Sequence, residues 1–255
     1  MADNPIKLRL ARGEPSRGVW LSLPSLYSAR LLSRLPLDWL TVDTEHAPVD
    51  ANTLAQMVAV IADSLGPVPF VRLGQANVES VKRALDSGAF GVIVPMINTR
   101  VEAEQVVAWA KYPPQGQRSF GSYYAPLAFG QSMPEYLRDA NRQTMVVVQI
   151  ESQAALGNLD AIFRTPGLDL AFIGPIDLCV SLGLDPIPEN PHPIFQEALV
   201  EIQQAARAHQ LPLGIFCSDG KAAAERIKQG YLFVNVANDT RSLLYGVQAE
   251  LDASR

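Results

Sequence analysis

Cysteine is scarce in this chain: Cys179 and Cys217 are the only two in 255 residues, and each closes an apolar run. That excludes a disulfide scaffold. Neither neighbourhood has zinc-ligand spacing, so a small buried thiol is the expected role of both. Long hydrophobic runs are missing too. Met1 to Glu14 has basic residues without the apolar core of a signal peptide, and no later stretch reaches the length of a membrane span. The expectation is a cytoplasmic protein without membrane contact. Basic clusters are also absent: 21 Lys and Arg against 26 Asp and Glu leave a net charge of -5, which argues against nucleic acid as a partner.

Several chemistries are excluded in the same way. There is no Gly-x-Ser-x-Gly elbow and no Gly-rich phosphate loop with Lys, which removes serine hydrolases and nucleotide-dependent enzymes. No Lys ends an apolar run, because Lys82, Lys111, Lys221 and Lys228 all belong to segments with helical spacing. A Schiff-base mechanism therefore lacks its amine.

What is present is a cadence. Short apolar runs recur at Gly18 to Leu23, Trp39 to Asp43, Val68 to Arg72, Gly91 to Pro95, Met145 to Glu151, Asp169 to Gly174, Pro212 to Cys217 and Leu232 to Val236, making eight candidate strands. Most are continuous rather than alternating, as expected of parallel strands covered on both faces. Helical spacing fills the intervals at Ala51 to Ser64, Val78 to Ser87, Thr99 to Tyr112, Ala154 to Phe163, Phe195 to His209, Gly220 to Gln229 and Arg241 to Leu251. Asp50 and Asp219 stand where N-caps belong, and Gly88 and Gly230 where helices stop. Eight regular units without a Gly-x-Gly-x-x-Gly turn favour a closed (β/α)8 barrel over an open doubly wound sheet. The length matches one such barrel of roughly 250 residues, so residues 1–255 are expected to form one domain. The Pro- and Gly-rich stretch Pro113 to Pro126 breaks the cadence and is either a lid or a brace that packs its aromatics between helices.

In such a barrel the working face lies at the carboxyl ends of the strands. The first strand leads through Trp20 to Ser22, the second ends in Asp43-Thr44-Glu45-His46, the third in Arg72, the fourth in Pro95, the fifth in Gln149 and Glu151, and the sixth in Gly174 to Asp177. Glu151 and Asp177 offer two hard oxygen donors on rigid supports, leaving the rest of a divalent cation's coordination to water and a chelating substrate. Capping of the following helices is the bland alternative for these acids. Arg72 would hold a planar fork over the pocket for an anionic substrate; an ion pair with one of the carboxylates is its less favoured reading. His46, alone of the three histidines, falls at a strand end, where Asp43 or Asp86 would hold its tautomer and make it a general base. The other two, His192 and His209, read as structural or solvent-facing.

The segments Trp39 to Pro48, Val71-Arg72, Leu85 to Ala89, Val94-Pro95, Tyr112 to Arg118, Val148 to Glu151 and Phe172 to Leu178 together resemble the HpcH/HpaI family of metal-dependent (class II) pyruvate aldolases. The resemblance implies a barrel of the phosphoenolpyruvate/pyruvate-binding type and cleavage of 4-hydroxy-2-oxo acids to pyruvate and an aldehyde. It implies that Glu151 and Asp177 ligate the cation, that Gln149 and Arg72 assist and Arg72 stabilises the enolate, and that His46 moves a proton through water. Trp20 joins the substrate pocket, backbone groups near Gly174 and Pro175 contact the pyruvate carboxylate, and Asp43 and Asp86 act as acidic supports. Ligand hardness points to Mg²⁺ or Mn²⁺, with Co²⁺ or Zn²⁺ as substitutes. The family pattern further implies a homo-oligomer, a hexamer with Arg241 to Leu251 packed on a neighbour, and a place in aromatic or sugar acid catabolism. Ser119 and Phe120 depart from the small residue usual after Arg118, and Tyr123-Tyr124 add bulk, which bears on the aldehyde used. A citryl- or malyl-type acyl-CoA lyase and a non-catalytic metal-binding barrel are the competing readings.

Overall fold

The computed structural model describes residues 4–255; of the segment read above as lacking a signal peptide, residues 1–3 lie outside it. Eight parallel strands close into a barrel in sequence order: β1 (Ser16–Leu21), β2 (Trp39–Asp43), β3 (Val68–Arg72), β4 (Gly91–Val94), β5 (Met145–Ile150), β6 (Leu170–Ile173), β7 (Leu213–Ile215) and β8 (Phe233–Asn238), with β8 paired to β1. Each corresponds to one of the eight apolar runs. β2 and β3 match the expected bounds, because each is a continuous buried run ended by a charged residue. Asp50 and Asp219 cap their helices, Asp50 accepting from the N–H groups of Asn52 and Thr53 at 2.8 and 3.0 Å.

Some helices depart from expectation. The segment read as one helix from Ala154 to Phe163 is two, Gln153–Leu156 and Leu159–Phe163, parted at Gly157-Asn158. Gly carries the largest entropy cost in a helix and Asn favours local turns, so the break falls there. The helices Pro5–Ala11, Leu26–Leu32, Tyr124–Ala128, Met133–Gln143 and Pro175–Ser181 were not anticipated. Four of them are short, and Met133–Gln143 buries Tyr136, Ala140 and Gln143 at helical spacing but is otherwise mostly polar, so no apolar run marks it.

The barrel interior is aromatic. Trp39 stacks on Phe233 with ring centroids 4.0 Å apart, Trp20 stacks on Phe172 at 5.4 Å, and Ile6 and Leu10 of the first helix join the same cluster. Gly18 is required by this packing: a Cβ there would stand 2.0 Å from the Trp39 ring. A separate layer of aliphatic side chains, including Val42, Val71, Val92, Val148 and Ile173, packs the outer face of the strands against the helices. The rigid cylinder so formed fixes the height of each strand end, and with it the residues that reach the working face.

Candidate active site

A cavity of about 290 Å³ opens at the carboxyl ends of the strands. Its walls come from seven strand ends: Trp20 of β1 and Ser22 after it, Asp43 of β2 and His46 after it, Arg72 of β3, Gln149 of β5, Phe172 of β6 and Gly174 to Asp177 after it, Phe216 following β7, and Asn238 of β8. Trp20, Arg72, His46, Asp43, Gln149, Gly174, Pro175 and Asp177 therefore gather where they were expected.

The parallel register explains the first cluster. Asp43 and Arg72 are direct Cα partners across β2 and β3, so their side chains rise together. Arg72 donates from Nε to Asp43 Oδ1 at 2.9 Å and from Nη2 to Oδ2 at 2.5 Å, while Nη1 lies 3.0 Å from Glu45 Oε2. The guanidinium also sits 5.3 Å from the Trp20 ring centroid. The ion pair that the sequence made the less favoured reading is thus present, and with two carboxylates. It does not remove Arg72 from the cavity, whose wall it still forms.

This arrangement revises the expected partner of His46. Asp43 is engaged by Arg72 and accepts the backbone N–H groups of Glu45 and His46 at 3.0 and 3.3 Å, so it holds the turn rather than the ring. The carboxylate near the imidazole is Glu45, with Oε2 3.9 Å from Nε2. Burial raises the Glu45 carboxyl above the ordinary range, Asp43 and Asp177 add to this, and the positive charge of Arg72 opposes it. Asp86 is not brought to the site. It ends the helix Val78–Asp86 and accepts from Arg118 Nη2 at 3.0 Å. Arg118 is buried between Tyr112 and Tyr136, its guanidinium 4.6 and 5.8 Å from their ring centroids. The irregular stretch after Tyr112 is held by this cluster, as a brace would be, while Tyr123 and Tyr124 stay exposed.

The second cluster surrounds Glu151, which is 2% exposed. Its Oε1 accepts the Met96 N–H at 2.8 Å and its Oε2 accepts Gln149 Nε2 at 2.5 Å. Met96 reaches it from a left-handed conformation, φ 54°, which a non-Gly residue adopts only under constraint. Burial lifts the Glu151 carboxyl to about 7, with the charges of Asp177 and Glu45 adding, against the two hydrogen bonds. Gly174 leaves room for it: a Cβ at Gly174 would lie 2.0 Å from Glu151 Oε2. Asp177, in the first turn of the helix Pro175–Ser181, lines the cavity from an exposed position, whereas Glu151 lies buried behind Gln149 and Gly174 and is not itself part of the lining.

These residues suit a divalent cation. Among the described residues, no three His, Cys, Asp or Glu side chains gather into a metal-ligating group. Two carboxylates are enough for a cation that keeps several waters and a chelating substrate. Gln149 Oε1 is buried without a hydrogen-bond partner, an orphan acceptor beside Glu151. A buried carboxylate, a second acid and an unpaired amide oxygen form an all-oxygen set of the kind a hard cation takes.

Glu45, Met96, Phe216 and Asn238 belong to this site but carried no assigned role in the sequence. Glu45 stood in the acidic run before His46 and was legible as a strand-end acid. Met96 acts through its backbone, so its side chain offered no signal, and Asn238 closes a strand whose expected end was Val236.

Comparison with known proteins identifies the family. Residues 16–245 match the family model described as HpcH/HpaI aldolase/citrate lyase. The chain is 37% identical over 248 residues to the 4-hydroxy-2-oxo-heptane-1,7-dioate aldolase of Salmonella dublin, covering 96% of this chain and 92% of the relative. It is 34% identical over 240 residues to the hydroxypyruvate/pyruvate aldolase of Rhizorhabdus wittichii, covering 94% of each. The crystal structure of an HpcH/HpaI aldolase/citrate lyase family protein from Burkholderia cenocepacia superposes with a TM-score of 0.90 at 34% identity, over 99% of both chains.

Proposed function

The chain belongs to the HpcH/HpaI aldolase/citrate lyase family, and from that premise we propose that it is a metal-dependent aldolase, a carbon–carbon lyase that cleaves 4-hydroxy-2-oxo acids to pyruvate and an aldehyde and catalyses the reverse addition. The observation that carries the reading is the buried Glu151 beside an unpaired Gln149 oxygen, sharing one end of the barrel with Asp177 and the Arg72 fork. Glu151 and Asp177 would hold a divalent cation, Mg²⁺ or Mn²⁺ with Co²⁺ or Zn²⁺ as substitutes. When bound, that cation supplies Lewis acidity toward the 2-oxo acid.

The chain's own residues do the remaining work. Arg72 places a fixed positive charge at the cavity wall, where it binds the substrate anion and favours the negative charge that develops on the enolate oxygen. Asp43 and Glu45 hold the guanidinium in place from behind, so it needs no reorganisation as the bond breaks. His46, 65% exposed at the cavity mouth, takes the C4 hydroxyl proton through water and returns it in the addition direction. Gly174 and Pro175 line the cavity, where their backbone groups would meet the pyruvate carboxylate. Trp20 and Phe172 form an apolar side that excludes water from the reacting carbons.

The same reading takes residues 1–255 as one catalytic domain and the protein as a homohexamer. Support comes from the helix Asp239–Ala253, whose Leu243, Leu244, Val247 and Leu251 form an exposed apolar stripe suited to a neighbouring copy. Two unpaired, buried cysteines suit a cytoplasmic location; among the described residues no helix is long and apolar enough to cross a membrane. The test is exchange of the pyruvate C3 protons in D₂O with Mn²⁺, together with pyruvate release from 4-hydroxy-2-oxo acids. Both are expected and both are lost with chelator. A metal-loaded protein that exchanges nothing would overturn the reading.

A further inference from the structure

The cavity has a second polar wall that the pyruvate half of the reaction does not use. β8 and β1 are neighbours in the closed barrel, with Trp20 opposite Asn238 in register, so Ser22 and Asn238 emerge together. Asn238 caps the last helix: its Oδ1 accepts the Arg241 N–H at 3.2 Å. That contact orients the amide, because the reversed rotamer would set two N–H donors against each other. Nδ2 therefore faces Ser22 and donates to its Oγ at 2.8 Å. Asp239, itself buried, locks the segment by accepting the N–H groups of Ser22 and Leu23 at 2.8 and 3.1 Å. Since Ser22 Oγ accepts from Asn238, its own proton points elsewhere, and no protein acceptor takes it among the described residues. A hydroxyl whose oxygen is held by Asn238 and whose proton is free to be donated thus stands in the cavity wall.

Charge narrows what this donor meets. Among the described residues of the lining Arg72 is the only Lys or Arg, and the aldolase reading commits it to the pyruvate end. Of the other lining residues, Trp20 and Phe216 offer no charge and Asp43 and Asp177 carry carboxylates. A carboxylate at the far end of the acceptor would lose its water there without a partner, whereas a hydroxyl would find Ser22.

We propose that Ser22, oriented by Asn238, is the specificity-determining residue for the aldehyde, and that the acceptor class is a small, uncharged aldehyde bearing a hydroxyl group. This rests on the aldolase reading and adds the substrate half which that reading leaves open.

The test compares kcat/KM for aldol addition of pyruvate to glycolaldehyde, to propanal, which has the same number of heavy atoms without the hydroxyl, and to succinic semialdehyde. Wild type prefers glycolaldehyde to both. Ser22→Ala loses about tenfold on glycolaldehyde while propanal changes by less than about twofold, which also shows that the variant is folded. Asn238→Asp keeps the acceptor for the Arg241 N–H but draws the Ser22 proton toward itself, and it shows the same selective loss. Equal losses on glycolaldehyde and propanal, or a wild-type preference for succinic semialdehyde, would overturn the proposal while pyruvate C3 exchange persists. Absence of that exchange in the metal-loaded wild type would instead remove the aldolase reading, and this one with it.

Discussion

Replacing Glu151 with Gln should change the pH dependence of stability in a direction set by burial. The carboxyl is 2% exposed and is lifted from its ordinary 4.5 to about 7 in the folded chain, chiefly by desolvation, so the folded state holds its proton more tightly than the unfolded state does. Stability from this group is fully present below pH 4.5 and is lost as pH rises through about 7. A displacement of this size corresponds to roughly 3 kcal/mol. Gln keeps the shape and can still accept the Met96 N–H, but it has no proton to lose. In chelator, at fixed protomer concentration, urea unfolding of wild type should weaken by about 2.5 kcal/mol more than that of Glu151→Gln between pH 5 and 8.5, since part of the full effect is already lost at pH 5. Saturating Mn²⁺ should reverse the order at high pH, since the cation binds the ionised carboxylate and leaves the variant unaffected. Parallel pH profiles for the two proteins in chelator would refute the argument that burial sets the charge state of Glu151.

Three further outcomes follow from the geometry. Arg72→Lys should lose at least about tenfold in turnover, because a point charge cannot bond Asp43 in parallel and reach Glu45 as well; steady-state kinetics of pyruvate release check this, and wild-type values would remove the fork from the mechanism. Gly174→Ala should cut Mn²⁺ affinity, measured by calorimetry, because the new Cβ would stand 2.0 Å from Glu151 Oε2 and force the carboxylate aside; far-UV circular dichroism should stay that of wild type. Leu244→Glu, on the exposed stripe of the last helix, should shift the assembled protein toward smaller species in analytical ultracentrifugation, and an unchanged sedimentation coefficient would free that helix from any interface.

Much of the fold was legible because a parallel barrel buries its strands on both faces. Val68-Pro69-Phe70-Val71 and Met145 to Val148 have no polar residue to place in water, so continuous apolar runs mark them without any structure. Short helices were less visible. Leu26–Leu32 buries Ala29 alone, which leaves no periodic face to recognise. Among the site residues, those at strand ends could be named from the barrel rule, while Asp86 could not be placed, since it closes a helix and its direction depends on Arg118. The Met96 contact to Glu151 was invisible for a simpler reason: a backbone N–H is common to every residue except proline, and only the local φ aims it.

The residue order alone determined the eight-unit barrel and the set of acids, amide, guanidinium and imidazole that its strands carry to one end, because apolar continuity and strand-end position are properties of the linear chain. Which of those groups touch was decided only in three dimensions. Register set Asp43 beside Arg72, the turn after β2 carried Glu45 rather than Asp43 to the His46 ring, and closure of β8 on β1 brought Asn238 to Ser22 across more than two hundred residues. Pairing depends on distance and orientation, and a sequence records neither until the barrel closes.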